Sequence, residues 1–248
     1  MSTSRVMIAE LIGTFFLCFA GIAAILSTQD PIASGAGIVG IALAHGLALS
    51  VAVSAFGGVS GAHFNPAVTV GFLVAGRIKP DRAIQYILAQ LAGAALAAWA
   101  CSCFFPAEAV SAAKLGIPLP GKLPGAEGAW VTVPIILGFE FVMTFLLMTA
   151  IYGAAVDDRG QAVKIGGFAI GLTVTFDILA GGAVTGASMN PARSFGPALV
   201  YKLIGGDAPG GGAGAFNFHW CYWAAPIAGA VVAALIYENL ILGNDNDG

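Results

Sequence analysis

Long apolar stretches alternate with short polar ones along this chain, and six of them approach the length that crosses a bilayer: about Val6 to Leu26, Gly37 to Phe56, Ala83 to Phe105, Val131 to Tyr152, Ile165 to Leu179 and His219 to Leu242. An α-helix rises about 1.5 Å per residue, so roughly 20 apolar residues cross the hydrocarbon core. The pattern predicts an all-α membrane protein with six transmembrane helices, the fifth being the shortest. Two further apolar segments, Val68 to Val74 and Ser194 to Leu203, are too brief to cross. Each follows the same three residues, Asn65-Pro66-Ala67 and Asn190-Pro191-Ala192. Asn is a favoured N-cap, because its side-chain oxygen accepts from the first free helical amides. Pro suits the first helical position, where no N–H is needed. Both segments are predicted to be half-helices.

The two Asn-Pro-Ala segments belong to a larger duplication. Glu10 to Phe15 in the first run matches Glu140 to Phe145 in the fourth at the Glu and the Thr-Phe, and Ala89 to Ala98 in the third matches Ala225 to Ala234 in the sixth. The offsets are 130 at the Glu, 125 at the Asn and 136 at the Gly. Such agreement indicates one unit used twice, about residues 6–105 and 131–242, within a single transmembrane domain covering 1–248. Three spans per unit is an odd number, so the second copy enters from the opposite side and the repeats are inverted. The half-helices then dip in from opposite faces, and Asn65 meets Asn190 near the midplane.

Composition strengthens this picture. Of 248 residues 58% are hydrophobic and 9% charged, with a mean hydropathy of +0.88, where soluble domains carry about 25% charged residues. The net charge of −3 and the lack of a basic tail argue against a nucleic-acid partner. Arg5, Arg77, Lys79, Arg82, Arg159 and Lys164 fall on one side of the predicted spans, and Lys114, Lys122 and Lys202 on the other. The first side is expected to be cytoplasmic, which puts both termini inside and suggests a plasma (inner) membrane. The first run could be mistaken for a signal peptide, but its counterpart in the fourth argues that it is retained. The 35 glycines suit close helix contact in lipid. Cys18, Cys101, Cys103 and Cys221 lie in or at the ends of spans without zinc-ligand spacing and read as packing. Neither a metal nor a cofactor is expected, and no nucleophile–base pair suggests an enzyme.

Two helix N-termini that face each other concentrate positive potential at the membrane centre, which disfavours cations and protons. Non-spanning backbone is tolerated there only when it is buried or lines an aqueous path. Asn65 and Asn190 each have amide N–H groups to offer the oxygen of a passing neutral molecule. With Ser60-Gly61-Ala62-His63-Phe64 before the first Asn-Pro-Ala and Arg193-Ser194-Phe195-Gly196-Pro197 after the second, the chain resembles the major intrinsic protein family, the aquaporins, over essentially its whole length. In that family Arg and half-helix dipoles exclude protons and cations. The resemblance implies a passive channel for water, binding no cofactor and assembling as a homotetramer in the lipid bilayer. It also implies an outer selectivity filter, which falls on His45, Ile178, Ala187 and Arg193. That set is similar to plant tonoplast intrinsic proteins and implies a wider filter that also passes small neutral solutes such as ammonia, urea or hydrogen peroxide. The glycerol-conducting branch typically carries Asp after the filter Arg and a basic residue four positions later. Ser194 and Ala198 stand there, so a glycerol facilitator is the weaker alternative.

Other polar residues in the apolar background need a role. Glu10 and Glu140 occupy matched positions and are expected to accept hydrogen bonds from the half-helix loops, with a proton relay as the alternative. His63 either lines the inner vestibule or braces its loop. Val68 holds the position in the first copy that Arg193 holds in the second. Asp177 lacks a counterpart; pairing with a loop group near the outer mouth is favoured over contact with a neighbouring subunit or modification of the filter. His219 reads as interfacial. A proton-coupled secondary transporter using Glu10, Glu140 or Asp177 is the competing class, but a cation site would not face positive helix ends.

Overall fold

The computed structural model describes residues 1–121, 131–159, 167–206 and 214–243. Lys122, Lys164 and Ile165 lie outside them, with the rest of residues 122–130, 160–166, 207–213 and 244–248. Among the described residues the regular elements are helices: α1 (Thr3–Ser27), α2 (Gly37–Ser60), α3 (Pro66–Val74), α4 (Pro80–Phe104), α5 (Ala107–Ala112), α6 (Val133–Ile151), α7 (Phe168–Thr185), α8 (Pro191–Leu203) and α9 (Cys221–Ile236). α6 and α9 continue into wider π turns, Tyr152–Val156 and Tyr237–Leu242. Among the described residues six helices are long and apolar enough to cross a membrane: α1, α2, α4, α7, and α6 and α9 with their π turns.

The apolar pattern misplaces the end of the fifth span, which continues six residues past Leu179 to Thr185. Gly181 is needed inside the helix, because a Cβ there would strike the Met143 sulfur of α6. The helix stops instead at Gly186, whose φ of 83° is left-handed. The half-helices α3 and α8 begin at Pro66 and Pro191. The short α5 has no apolar signature to announce it.

Glycines mark where spanning helices cross. Gly93 of α4 rests on the Leu11 carbonyl of α1, and Gly229 of α9 on the Phe141 carbonyl of α6, leaving no room for a Cβ at either. Close approach of this kind is how helices associate in lipid, where apolar burial gives little drive. α2 and α7 pack along each other with Gly46 against Gly171 and Thr175, Gly182 against Ile38, and Gly167 against Val53. Residue numbers rise on one helix as they fall on the other, so the pair is antiparallel. Apolar side chains cover the outside of the bundle as well as filling its core, and several polar ones lie inside. Leu47, Val51, Ile84, Leu88 and Trp99 are exposed, whereas Glu10, Gln90, Glu140, Thr144 and Asn190 are buried. On the end that carries the C-terminal turn, Arg77 forms a two-armed ion pair with Glu238, both contacts at 2.8 Å. Nearby, Arg159 pairs with Asp157 at 2.9 Å and donates to the Ile241 carbonyl.

Candidate functional site

The loops that lead into α3 and α8 bend at matched places. Gly61 and Gly186 end α2 and α7 in the left-handed region, and beyond them Ala62, Phe64, Ala187 and Met189 have φ of 54°, 49°, 44° and 52°. A non-glycine residue in that region costs roughly 1–2 kcal/mol, so these loops must be held. Two buried carboxylates hold them. Glu10 Oε1 accepts from Ser60 Oγ (2.6 Å) and the His63 amide (3.0 Å), and its Oε2 from the Phe64 amide (2.7 Å). Glu140 Oε1 accepts from Thr185 Oγ1 (2.7 Å) and the Ser188 amide (2.9 Å), and its Oε2 from the Met189 amide (2.7 Å). Each of these contacts is a donor, so both side chains act as acceptors. Tyr86 and Tyr222 close the loop starts by donating to the Ser60 and Thr185 carbonyls, each at 2.6 Å. The halves differ at one support. Gln90 Nε2 adds a fourth donor to Glu10 (2.9 Å) and also reaches Thr69 Oγ1 (3.0 Å), where the second half has Pro226 at the matching position.

Asn65 and Asn190 cap α3 and α8. Their Oδ1 atoms accept from Ala67 N at 2.8 Å and Ala192 N at 3.0 Å. Their amide nitrogens reach across to the other half: Asn65 Nδ2 donates to the Met189 carbonyl (2.8 Å) and Asn190 Nδ2 to the Phe64 carbonyl (2.9 Å). A side-chain amide has two N–H groups, so one on each Asn is left for the cavity that both line. Pro66, Ala67, Pro191 and Ala192 do not line that cavity; they are buried at the starts of the half-helices.

The cavity contains about 30 Å³ of space open to the centre of a water molecule. At about 10–15 Å³ per water centre, this is room for two or three water molecules. His45, Ile178, Ala187, Arg193, His63 and Val68 all line it with the two Asn residues. Its remaining walls are mostly apolar, and the hydropathy pattern does not single them out. Four of them follow at helical spacing from His45 on α2 (Leu49, Val53) and from Ile178 on α7 (Val174, Ile170), and Leu17 of α1 with Leu147 and Ile151 of α6 add to the apolar wall. Counting in fours from His45 and Ile178 would find the four on α2 and α7.

Arg193 is 3% exposed and tied at two atoms. Its Nε donates to His45 Nε2 at 3.2 Å, and its Nη1 to the Gly116 carbonyl at 2.9 Å. His45 Nδ1 lies 2.8 Å from the Ile41 carbonyl. A carbonyl only accepts, so the ring proton is on Nδ1, and the Nε2 lone pair is what Arg193 meets. His45 is therefore a neutral ring held between a fixed acceptor and a fixed cation. His63 has both expected parts: its Nδ1 is 3.1 Å from Thr69 Oγ1, its ring packs on Phe72 and Tyr86, and it reaches the cavity. Asp177 corrects the expectation of a partner at the mouth. It is 1% exposed and its Oδ2 has no hydrogen-bond partner. Asp177 lies one helical turn from Gly181, which abuts Met143, so α7 turns the carboxyl toward α6 rather than toward a loop. His219 accepts from Trp223 Nε1 at 3.1 Å and packs on Phe216, away from the cavity.

Comparison with known proteins agrees with this geometry. The family described as Major intrinsic protein matches residues 1–237. The chain belongs to the major intrinsic protein family. Among its relatives, aquaporin TIP4-4 of Zea mays is 40% identical over 242 residues, covering 96% of this chain and 87% of that protein. A probable aquaporin of TIP type from Medicago truncatula is 41% identical over 250 residues, covering 99% and 90%. The X-ray structure of the aquaglyceroporin from Plasmodium falciparum is similar with a TM-score of 0.79 over 97% of both chains, at 24% sequence identity. This major intrinsic protein thus has the aquaporin-like fold, is an integral multi-pass membrane protein, and is a channel rather than an enzyme.

Proposed function

We propose that the chain conducts water passively, together with small neutral solutes such as ammonia, urea and hydrogen peroxide, and excludes protons and ions. The observation that carries this reading is the narrow cavity in which both capping Asn residues and the Arg193–His45 pair meet. At its middle, one spare N–H from each Asn binds the oxygen of a passing water. That water's hydrogens then point outward, so no continuous proton wire forms. The positive ends of α3 and α8 and the Arg193 charge add an electrostatic barrier, as is general for aquaporin-type pores. The filter is His45, Ile178, Ala187 and Arg193, with Ile178 and Ala187 as its small apolar walls. Among the described residues no acid lines the cavity, which weighs against proton-coupled transport. Ser194 and Ala198 weigh against a glycerol facilitator.

The two halves, about residues 6–105 and 131–242, are read as inverted repeats, supported by the matched carboxylate, tyrosine and Asn contacts. Both termini are read as cytoplasmic from the Lys and Arg distribution, and the assembly as a homotetramer. The relatives are of TIP type and lend no support to a plasma membrane in particular. Proteoliposomes carrying the protein should shrink rapidly in a stopped-flow osmotic jump, with a low activation energy and no proton current. Water flux no faster than that of empty vesicles would overturn the reading.

A further inference from the structure

The Arg193–His45 pair rests on α1. A Cβ built on Gly21 would overlap the edge of the His45 ring, meeting Nε2 first. Nε2 is the atom that accepts from Arg193. The second anchor of Arg193, the Gly116 carbonyl, belongs to a residue seated against Ile22 and Ile25 in the next turn of the same helix. One short stretch of α1 thus backs both acceptors of the guanidinium. Gly21 is 24 residues from His45 in sequence and is not among the residues lining the cavity, so neither hydropathy nor spacing marks it.

The space a side chain would fill at Gly21 is occupied by the imidazole. His45 lies back into α1, and in that position it draws Arg193 toward α1 as well. We propose that Gly21 is a specificity-determining position that sets the bore of the channel, acting through His45 and Arg193 as a positioning residue. The inference rests on the channel reading above. With a methyl group at Gly21, the ring must rotate off α1 toward the cavity. Its bond to Arg193 then breaks, and the guanidinium loses one of its two ties. Solutes wider than water are impeded more than water, because they must pass the displaced ring.

The test compares wild type, Gly21→Ala, His45→Ala and the double variant in proteoliposomes, measuring water and urea flux in the same vesicles. The urea-to-water ratio does not depend on how much folded channel is present, so a simple folding defect leaves it unmoved. Gly21→Ala is expected to lower the ratio about tenfold, since overpacking by one methyl raises the barrier for the larger solute. In the double variant the ring is gone, and the ratio should return to that of His45→Ala. A ratio unchanged in Gly21→Ala, or lowered equally in the double variant, overturns the proposal. If wild type passes water but no urea, per-channel water flux takes the place of the ratio, with the same expected fall and the same rescue. A structure of Gly21→Ala gives a second readout: the Arg193 Nε–His45 Nε2 separation must lengthen beyond hydrogen-bond reach, and an unchanged 3.2 Å refutes the idea. Wild-type vesicles that pass no water would instead overturn the channel reading itself.

Discussion

Replacing Glu140 by Gln tests whether the membrane-buried acids hold loops or carry protons. The carboxylate receives three donors at 2.7, 2.9 and 2.7 Å and is 0% exposed. With the amide oxygen at the Oε1 site, Thr185 and Ser188 keep an acceptor, but their bonds change from charge-assisted to neutral, at about 1 kcal/mol each. The amide nitrogen then faces the Met189 N–H, donor to donor, and a buried amide without an acceptor costs about 1–3 kcal/mol. The sum is about 3–5 kcal/mol, concentrated on a loop whose Ala187 and Met189 already carry strained φ. Glu10→Gln should cost about 1 kcal/mol less, because Gln90 can turn its amide to offer Oε1, which is buried without a partner in the wild type. Thermal unfolding in detergent, followed by tryptophan fluorescence, should rank wild type above Glu10→Gln and Glu10→Gln above Glu140→Gln, with water flux per folded channel falling in the same order. Wild-type stability in Glu140→Gln, combined with loss of a proton-dependent flux, would refute the loop-holding role.

Three further outcomes are expected. Arg193→Val leaves His45 Nε2 and the Gly116 carbonyl without their donor and removes the charge at the constriction, so vesicles should admit larger or charged species in flux assays; an unaltered solute profile contradicts a gatekeeping Arg193. Ile178→His places a bulky polar ring on the wall of the same cavity and should cut urea or ammonia flux more than water flux, whereas equal flux of all three counts against Ile178 as a filter wall. Asp157 is held well below the ordinary carboxylate value by the Arg159 guanidinium beside it. A depressed value means the contact contributes fully above the unfolded value, about 3.9, and is lost only as pH falls through the lower folded one. Hydrogen exchange in Tyr152–Val156 should therefore be flat between about pH 5 and pH 8 after correction for intrinsic rates, and faster in Asp157→Asn; a rise in protection across that window would disprove the assignment.

The spans and half-helices were legible because apolar length, an Asn cap and a following Pro are local signals. The same logic placed Glu10 and Glu140, since a duplicated acid in an apolar span needs duplicated donors. Three features were not legible, each for a different reason. Leu49, Val53, Ile170 and Val174 look like any other apolar residues, and only a helix-period count from His45 and Ile178 separates the cavity wall from the lipid face. Gly21 and Gln90 act through partners on other helices. Asp177 follows the helical phase of α7, which turns it toward α6, and no residue type nearby in sequence reveals that.

The exchanged amides have a consequence for how the chain is made. Asn65 meets its acceptor on Met189 across 124 residues, and Asn190 meets Phe64 across 126. During synthesis the first loop is complete long before its partner leaves the ribosome, so it must wait in or beside the bilayer with the Phe64 carbonyl and one Asn65 N–H unanswered. Water or the insertion machinery has to satisfy them in the interval, and the last three spans finish the first three as much as themselves. Each half, expressed alone, is an unfinished product: it can insert its helices and brace its loop with its own carboxylate, but the Asn amide and the carbonyl at its centre lack the partners that the other half supplies.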